Sequence, residues 1–337
     1  RYIKFVLNHP LFTIGGILII TIAMAAGIPK LRFDNSLEVM MPKKDSQYLY
    51  YEEVKKVHGN LGKFIIMNVS GPDVWSPSFL RETDNLITDL EEYSEFDEDR
   101  ENNRLDSISR LSSGGSITVD KLVEMFKTDR PFQREIVRFL DMNVPGKTTL
   151  GGKQLNRLHS HLNEIYRLKK EAQIDVILSP HTAKDISGAG DTLSAFDIID
   201  KDSDGKRIVP QTVEEIRTFR RRLTKNPAFD GALYSRERKT GEITDFCVMV
   251  KLKNIKKDDE IAKRVWDIAR GYKTLKTTPQ GVPVVGIVMN DHMHHDLYHF
   301  LPLVMLVVVI IFFINFRSLR GCLLYTSDAA DEEDSVD

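Results

Sequence analysis

The sequence predicts a membrane α-helical protein with an α+β ectodomain, in which two transmembrane helices flank a domain of β-α-β units carrying a helical insertion. Three observations predict this class. Residues 11–28 and 300–316 are uncharged apolar runs near the two ends of the chain. Basic residues flank both on their outer sides, Arg1 and Lys4 before the first and Arg317 and Arg320 after the second. Between them, short apolar runs bounded by Gly, Ser and Pro alternate with stretches of helical period.

The chain opens on Arg1 rather than Met, so its N-terminus is expected upstream, and residues 1–10 form a short flank. The run 11–28 (LFTIGGILIITIAMAAGI) makes a helix of roughly 27 Å, close to the hydrocarbon thickness of a bilayer. A cleaved signal peptide is the alternative, because Ala23-Met-Ala25 has the small-residue form of a cleavage site. The run 300–316 (FLPLVMLVVVIIFFINF) is more apolar and has no water-facing side. The positive-inside rule places both outer flanks in the cytoplasm and residues 30–295 outside it. The expected location is therefore a cell (inner) membrane, multi-pass, with a large extracytoplasmic domain.

Within that domain, 63–69 (KFIIMNV) is a short apolar run ended by Ser70-Gly71-Pro72, which suits a buried strand. Ser76-Pro77 then starts a helix with Phe79, Leu86, Ile87 and Leu90 at helical spacing. The stretch 105–111 (LDSISRL) is expected as the partner strand. A helical insertion covers about 117–180, with helices at 119–126, 132–140 and 155–172. After Pro210, Thr212 and Glu215 have capping-box spacing for a helix to about Thr224. Residues 231–235 and 244–252 form a hairpin around a Gly-containing loop. Ile261, Val265, Ile268 and Tyr272 line one helix face, and 282–289 (VPVVGIVM) closes the domain as a strand leading into the second span.

Residues 317–321 read as a cytoplasmic turn. Residues 322–337 change character abruptly and read as a translated sequencing adapter, the alternative being a genuine acidic tail. The balance of 47 Lys and Arg against 49 Asp and Glu gives no electrostatic reason to expect nucleic acid. The two cysteines, Cys247 and Cys322, fall on opposite sides of the membrane in this topology, which excludes a disulfide framework.

Two clusters have metal-ligand character. His292, His295, Asp296 and His299 share a helix face by i, i+3, i+4 and i+7 spacing; the simpler reading is an interfacial helix extension. Asp200, Asp202 and Asp204 before Gly205 resemble half of a calcium loop. Its twelfth position is Gln211, and Lys206 and Arg207 add positive charge, which favours a polar turn. Gly188-Ala-Gly190 lacks the third glycine of a nucleotide fingerprint. Asp191 and Ser194 join no nucleophile–base arrangement, so no catalytic residue, cofactor or enzyme activity is expected. Trp75, Phe79, Phe246, Trp266 and Tyr272 read as core, and no binding residue is assigned.

The strings 31–37 (LRFDNSL), Met41-Pro42, and Tyr51 through 59–63 (GNLGK) resemble the entry to the periplasmic porter domain of the RND superfamily, nearest its MMPL-type lipid-exporter branch. The later strings 230–235 (DGALYS), 281–286 (GVPVVG), 296–302 (DLYHFLP) and 315–321 (NFRSLRG) are similar in order and spacing, so the resemblance covers 1–321. It implies a fragment of a proton-driven secondary transporter with a porter-like domain, exporting lipids or other hydrophobic or amphiphilic compounds. Its implied partners are membrane lipids, a hydrophobic small-molecule or lipid substrate, and a homo-oligomer or periplasmic accessory protein. The proton-relay residues are expected outside this fragment. Alternatives of the same topology are a sterol-sensing-domain-like receptor or protein-translocation accessory, and a two-span anchored ectodomain with a metal-binding role.

Overall fold

The computed structural model describes residues 42–58, 61–189, 192–253 and 258–316, together with Ile19. The elements run α1 (Ser46–His58), β1 (Phe64–Ser70), α2 (Pro77–Glu91), α3 (Glu98–Ser113), β2 (Ile117–Thr118), α4 (Val119–Met125), α5 (Arg130–Asn143), β3 (Thr149–Leu150) and α6 (Gly152–Lys170). Then follow β4 (Ile174–Leu178), β5 (Lys184–Ala189), β6 (Thr192–Asp197), α7 (Val213–Lys225), β7 (Tyr234–Arg236), β8 (Ile243–Leu252), α8 (Asp258–Arg270), β9 (Lys276–Gln280) and α9 (Val282–Phe316). The chain divides into two units, Lys43–Ile287 and the paired ends Arg1–Pro42 with Val288–Asp337.

In the first unit the sheet order is β4-β8-β1-β9, every neighbour pair antiparallel, with β7 added to β8. Two β-α-β units, β1–α2–β4 and β8–α8–β9, thus interleave in one open sheet, a split β-α-β arrangement. Period-two alternation explains which face is buried. Ile65, Met67 and Val69 of β1 meet Val250, Val248 and Phe246 of β8 on the core face. Ile66 and Asn68 lie on the other face, opposite Met249 and Cys247 in the register.

Local sequence sets the helix starts. The Ser76 hydroxyl accepts from the Phe79 N–H at 3.3 Å, with Pro77 opening α2. Thr212 and Glu215 form the expected reciprocal capping box of α7. Helices α3–α6 build a second hydrophobic cluster around Ile108, Leu122, Phe132, Ile136, Phe139 and Leu158.

Several expectations are corrected. Residues 105–111 are helical within α3, because their apolar residues recur at every third position and Asp97 caps the helix with Glu98, Asp99 and Glu101 in its first turn. Residues 282–289 begin α9, and the closing strand is instead β9, a polar edge strand whose Lys276 and Pro279 suit an edge. The helical reading of 117–180 also missed β4 at its end.

The membrane architecture is corrected as a whole. Among the described residues no helix is long and apolar enough to cross a membrane. Helix α9 includes 300–316, but its turns at 290–299 are polar (NDHMHHDLYH). Phe300, Leu303, Val307 and Ile311 on it are exposed. The described residues form a mixed α/β domain with open sheets, and among them no helix crosses a membrane as the two expected spans flanking a porter-like ectodomain would. The inner-membrane, multi-pass location and the extracytoplasmic placement of 30–295 rested on those spans and go with them. The run 11–28, the flank 1–10, the string 31–37, the turn 317–321 and the tail 322–337 lie outside the described residues, Ile19 excepted.

Candidate functional site

Charges appear inside the apolar stripes of four helices: Glu101 and Arg104 in α3, Glu135 and Arg138 in α5, Lys169 in α6 and Arg264 in α8. All six side chains are buried, and such charges persist in a core only when paired. Together with Asp89, Glu92, Asp129 and Arg134 they form an ionic layer beside the two hydrophobic clusters.

At one end of the layer, Arg104 forks onto Asp129 with bonds of 2.7 and 2.6 Å and reaches Glu92 at 2.8 Å and Glu101. Lys169 bridges Glu92 and Glu101 at 2.7 and 3.1 Å. Burial alone would raise the Glu92 carboxyl, but Lys169 and Arg104 outweigh it and hold it at about 2. In the middle, Glu135 accepts from Arg138 at 2.5 Å and from Arg264, and lies 3.0 Å from the His161 Nε2. There too burial opposes ionisation, and Arg264, His161 and Arg138 overcome it, so the carboxyl sits well below its usual range. Arg264 also donates to the Tyr93 hydroxyl at 2.6 Å.

At the other end stands Asp89 of α2, only 4% exposed, which accepts from Arg134 at 2.9 and 2.6 Å, Arg138 at 2.8 Å and the Tyr272 hydroxyl at 2.7 Å. Burial first, and then the Asp89 charge, push the Tyr272 phenol far above its ordinary value, so it stays a proton donor. Gly271 makes room for this arrangement, since a Cβ there would lie 2.6 Å from the Arg138 Nε.

The cavity inside the layer measures about 20 Å³, too small for an organic ligand. On the far side of Arg138 opens a cleft of about 560 Å³ between α5 and the turn from α8 to β9. Val137, Met142, Tyr272 and Arg138 line it, and Asp141, Asp267, Arg270 and Lys273 stand around them. Arg270 stacks on Trp266 at 5.2 Å from the ring centroid. This cleft is the candidate site.

The residues singled out from sequence lie elsewhere. His295 and His299 stack at 4.1 Å, and the His299 Nδ1 meets the His295 carbonyl oxygen at 2.8 Å. Asp296 lies 3.8 Å from the His295 ring, and His292 is exposed. The Asp202 carboxylate accepts the backbone N–H groups of Asp204 and Lys206 at 2.9 and 2.8 Å, closing a turn that ends in Gly205 at φ +78°. Asp200 accepts from Arg222 at 2.8 Å, and Asp204 is exposed in the turn. Among the described residues no group of three or more His, Cys, Asp or Glu side chains is placed to hold a metal ion. Within the β5–β6 hairpin Gly188 pairs with Leu193 and Ser194 with Ser187, while Gly190 and Asp191 lie outside the described residues. Phe79 and Phe246 are core residues as expected, Tyr272 is buried but also forms part of the cleft wall, and Trp75 and Trp266 pack against the core half-buried.

No family model, curated protein or solved structure matches the chain. The resemblance to RND-type, MMPL-like transporters therefore gains no support, and it is contradicted by the lack, among the described residues, of any helix long and apolar enough to cross a membrane. Proton-driven export, the sterol-sensing and translocation alternatives, and the two-span anchored ectodomain are corrected with it. So are the membrane-lipid, hydrophobic-substrate, homo-oligomer and periplasmic-accessory partners derived from that topology.

Proposed function

We propose that this chain is a non-catalytic binding domain that takes a small polar organic ligand in the cleft between α5 and the α8–β9 turn. One observation carries the reading: Asp89 fixes Arg138 and Tyr272 together at the inner wall of an open cleft of about 560 Å³. That volume falls in the range of small-molecule sites, and a seam between packed subdomains is a common place for one. Because these polar groups are already oriented, a ligand would lose little free energy in ordering them. The non-catalytic part rests on chemistry. The Tyr272 proton is held too firmly for general-base work, and no nucleophile stands beside a base around the cleft.

The test is a screen of small organic solutes by thermal shift, repeated with Met142→Arg, which fills the mouth from an exposed position. Compounds that raise the melting temperature of the wild type should lose that effect in the variant. If every stabilising compound acts equally on both proteins, the cleft is not the site.

A further inference from the structure

The charges at the cleft wall narrow the ligand class, an inference that rests on the cleft being the binding site. Acid and base are interleaved there rather than separated. Lys273 and Asp141 pair at 3.3 Å, Asp89 holds Arg134 and Arg138, and Asp267 stands one helical turn before Arg270 in α8. A charged ligand of either sign would therefore meet repulsion beside each attraction. Asp267 and Arg270 differ from the other charges of the cleft. Among the described residues neither the half-buried Asp267 carboxylate nor the Arg270 guanidinium has a hydrogen-bond or ion-pair partner, and they do not bond to each other. Arg270 instead lies over the Trp266 ring, 5.2 Å from its centroid, which fixes where its donors stand. One group only accepts, the other only donates, and one turn of helix separates them. Val137 and Met142 present exposed apolar side chains in the same cleft.

We propose that the cleft binds an uncharged carbohydrate, a monosaccharide or short glycoside, with adjacent hydroxyls bridging Asp267 and Arg270. A hydroxyl both donates and accepts, so one donates to the Asp267 carboxylate while its neighbour accepts from Arg270. Hydrogen bonds to charged groups of this kind are about twice as strong as neutral ones. The ligand brings no charge of its own, so the Asp141–Lys273 pair stays intact beside it. The C–H face of the sugar ring covers Val137 and Met142 and removes apolar surface from water. A small ion would leave that apolar wall bare. A purely apolar molecule would take water from Asp267 and Arg270 and give them no partner in return.

The experiment uses the full chain, isotopically labelled for NMR. It is titrated with the methyl glycosides of glucose, galactose and mannose, with glucuronate and glucosamine, and with tetrahydropyran-2-methanol, whose ring carries no adjacent hydroxyls. At least one methyl glycoside is expected to shift the resonances of Gly271, Val137 and Met142. Tetrahydropyran-2-methanol is expected to bind roughly 10-fold more weakly, as loss of a hydrogen bond to a charged group does. Asp267→Ala and Arg270→Ala should each weaken that glycoside by a similar factor. Unshifted resonances away from the cleft show that both variants keep the fold. Three results would overturn the carbohydrate assignment and leave the cleft as a site: tighter binding of glucuronate or glucosamine than of every methyl glycoside, an equal response to tetrahydropyran-2-methanol, or glycoside binding that neither variant weakens. No shift with any of these compounds also overturns it. The cleft reading falls as well only if the stabilising compounds of the thermal-shift screen leave the same resonances unmoved.

Discussion

Tyr272 donates its hydroxyl proton to Asp89 at 2.7 Å, tying the turn after α8 to the last turn of α2 through a carboxylate that also holds two arginines. One side chain thus serves three donors, two from α5 and one from the turn. Asp89→Ala would leave Arg134 without its carboxylate and Tyr272 without its acceptor, and Arg138 would keep only Glu135. Breaking a buried ion pair from one side costs about 3–5 kcal/mol, and a loss of that order is expected in urea unfolding. Asp89→Asn should fall between the two proteins, since the amide keeps one acceptor oxygen.

Acid should weaken the fold in two stages. His181 is fully buried, with its Nε2 3.1 Å from the Leu80 carbonyl oxygen, and burial together with the nearby Arg207 charge lowers it from 6.5 to about 3. The unfolded chain takes up this proton first, so stability falls as pH drops below 6.5, at up to about 1.4 kcal/mol per pH unit. Glu92 is lowered from 4.5 to about 2, so the stability it contributes is present above 4.5 and lost as pH falls toward 2. His181→Phe should flatten the stability profile between pH 6.5 and 4.5 and leave the steeper fall below it. A variant with an unchanged slope in the upper window would assign that slope to other groups.

Gly281 ends β9 and opens α9 at φ +124°, where a Cβ would stand 2.2 Å from the Phe64 carbonyl oxygen. Both the conformation and the contact exclude a side chain. Gly281→Ala is expected to cost at least about 2 kcal/mol, read as a lowered melting temperature.

The Asp202 turn should be indifferent to calcium. Its carboxylate is occupied by two backbone N–H groups, and Asp200 is held by Arg222. Added calcium or a chelator should leave the melting temperature unchanged, whereas Asp202→Ala should lower stability by roughly 1 kcal/mol through the lost turn bonds. A calcium-dependent rise in melting temperature would show that the loop binds the ion after all.

What the sequence made legible was local. Ser76-Pro77, Thr212 with Glu215, and the short apolar run 63–69 each carry their signal within a few residues, and each element forms where that signal lies. The period of 105–111 was also present in the sequence, since positions 105, 108 and 111 follow a helical spacing and not the period of two of a strand, and the acidic residues at 97–101 agree with the helix. β9 was hidden because KTTPQ lacks apolar alternation and owes its strand form to pairing with β1, more than two hundred residues earlier. Two apolar runs were read as membrane spans from their length, lack of charge and basic flanks, although the turns before the second are polar. The cleft had one overlooked signal, the charges lodged at core positions of α3, α5, α6 and α8. They show that polar groups must meet inside the fold, but only the tertiary structure shows where that layer opens to solvent.

Helix α6 joins both hydrophobic clusters along its length: Leu155, Leu158 and Leu162 belong to the one built with α3 and α5, and Ile165 and Leu168 to the one beneath the sheet. A rod anchored in both leaves neither free to melt alone. Amide protons in the buried turns of α6 should therefore exchange only through opening of the entire unit, at rates matching those of β1. The insertion, though it interrupts the sheet's first crossover, belongs to the same cooperative folding transition as the strands on either side of it.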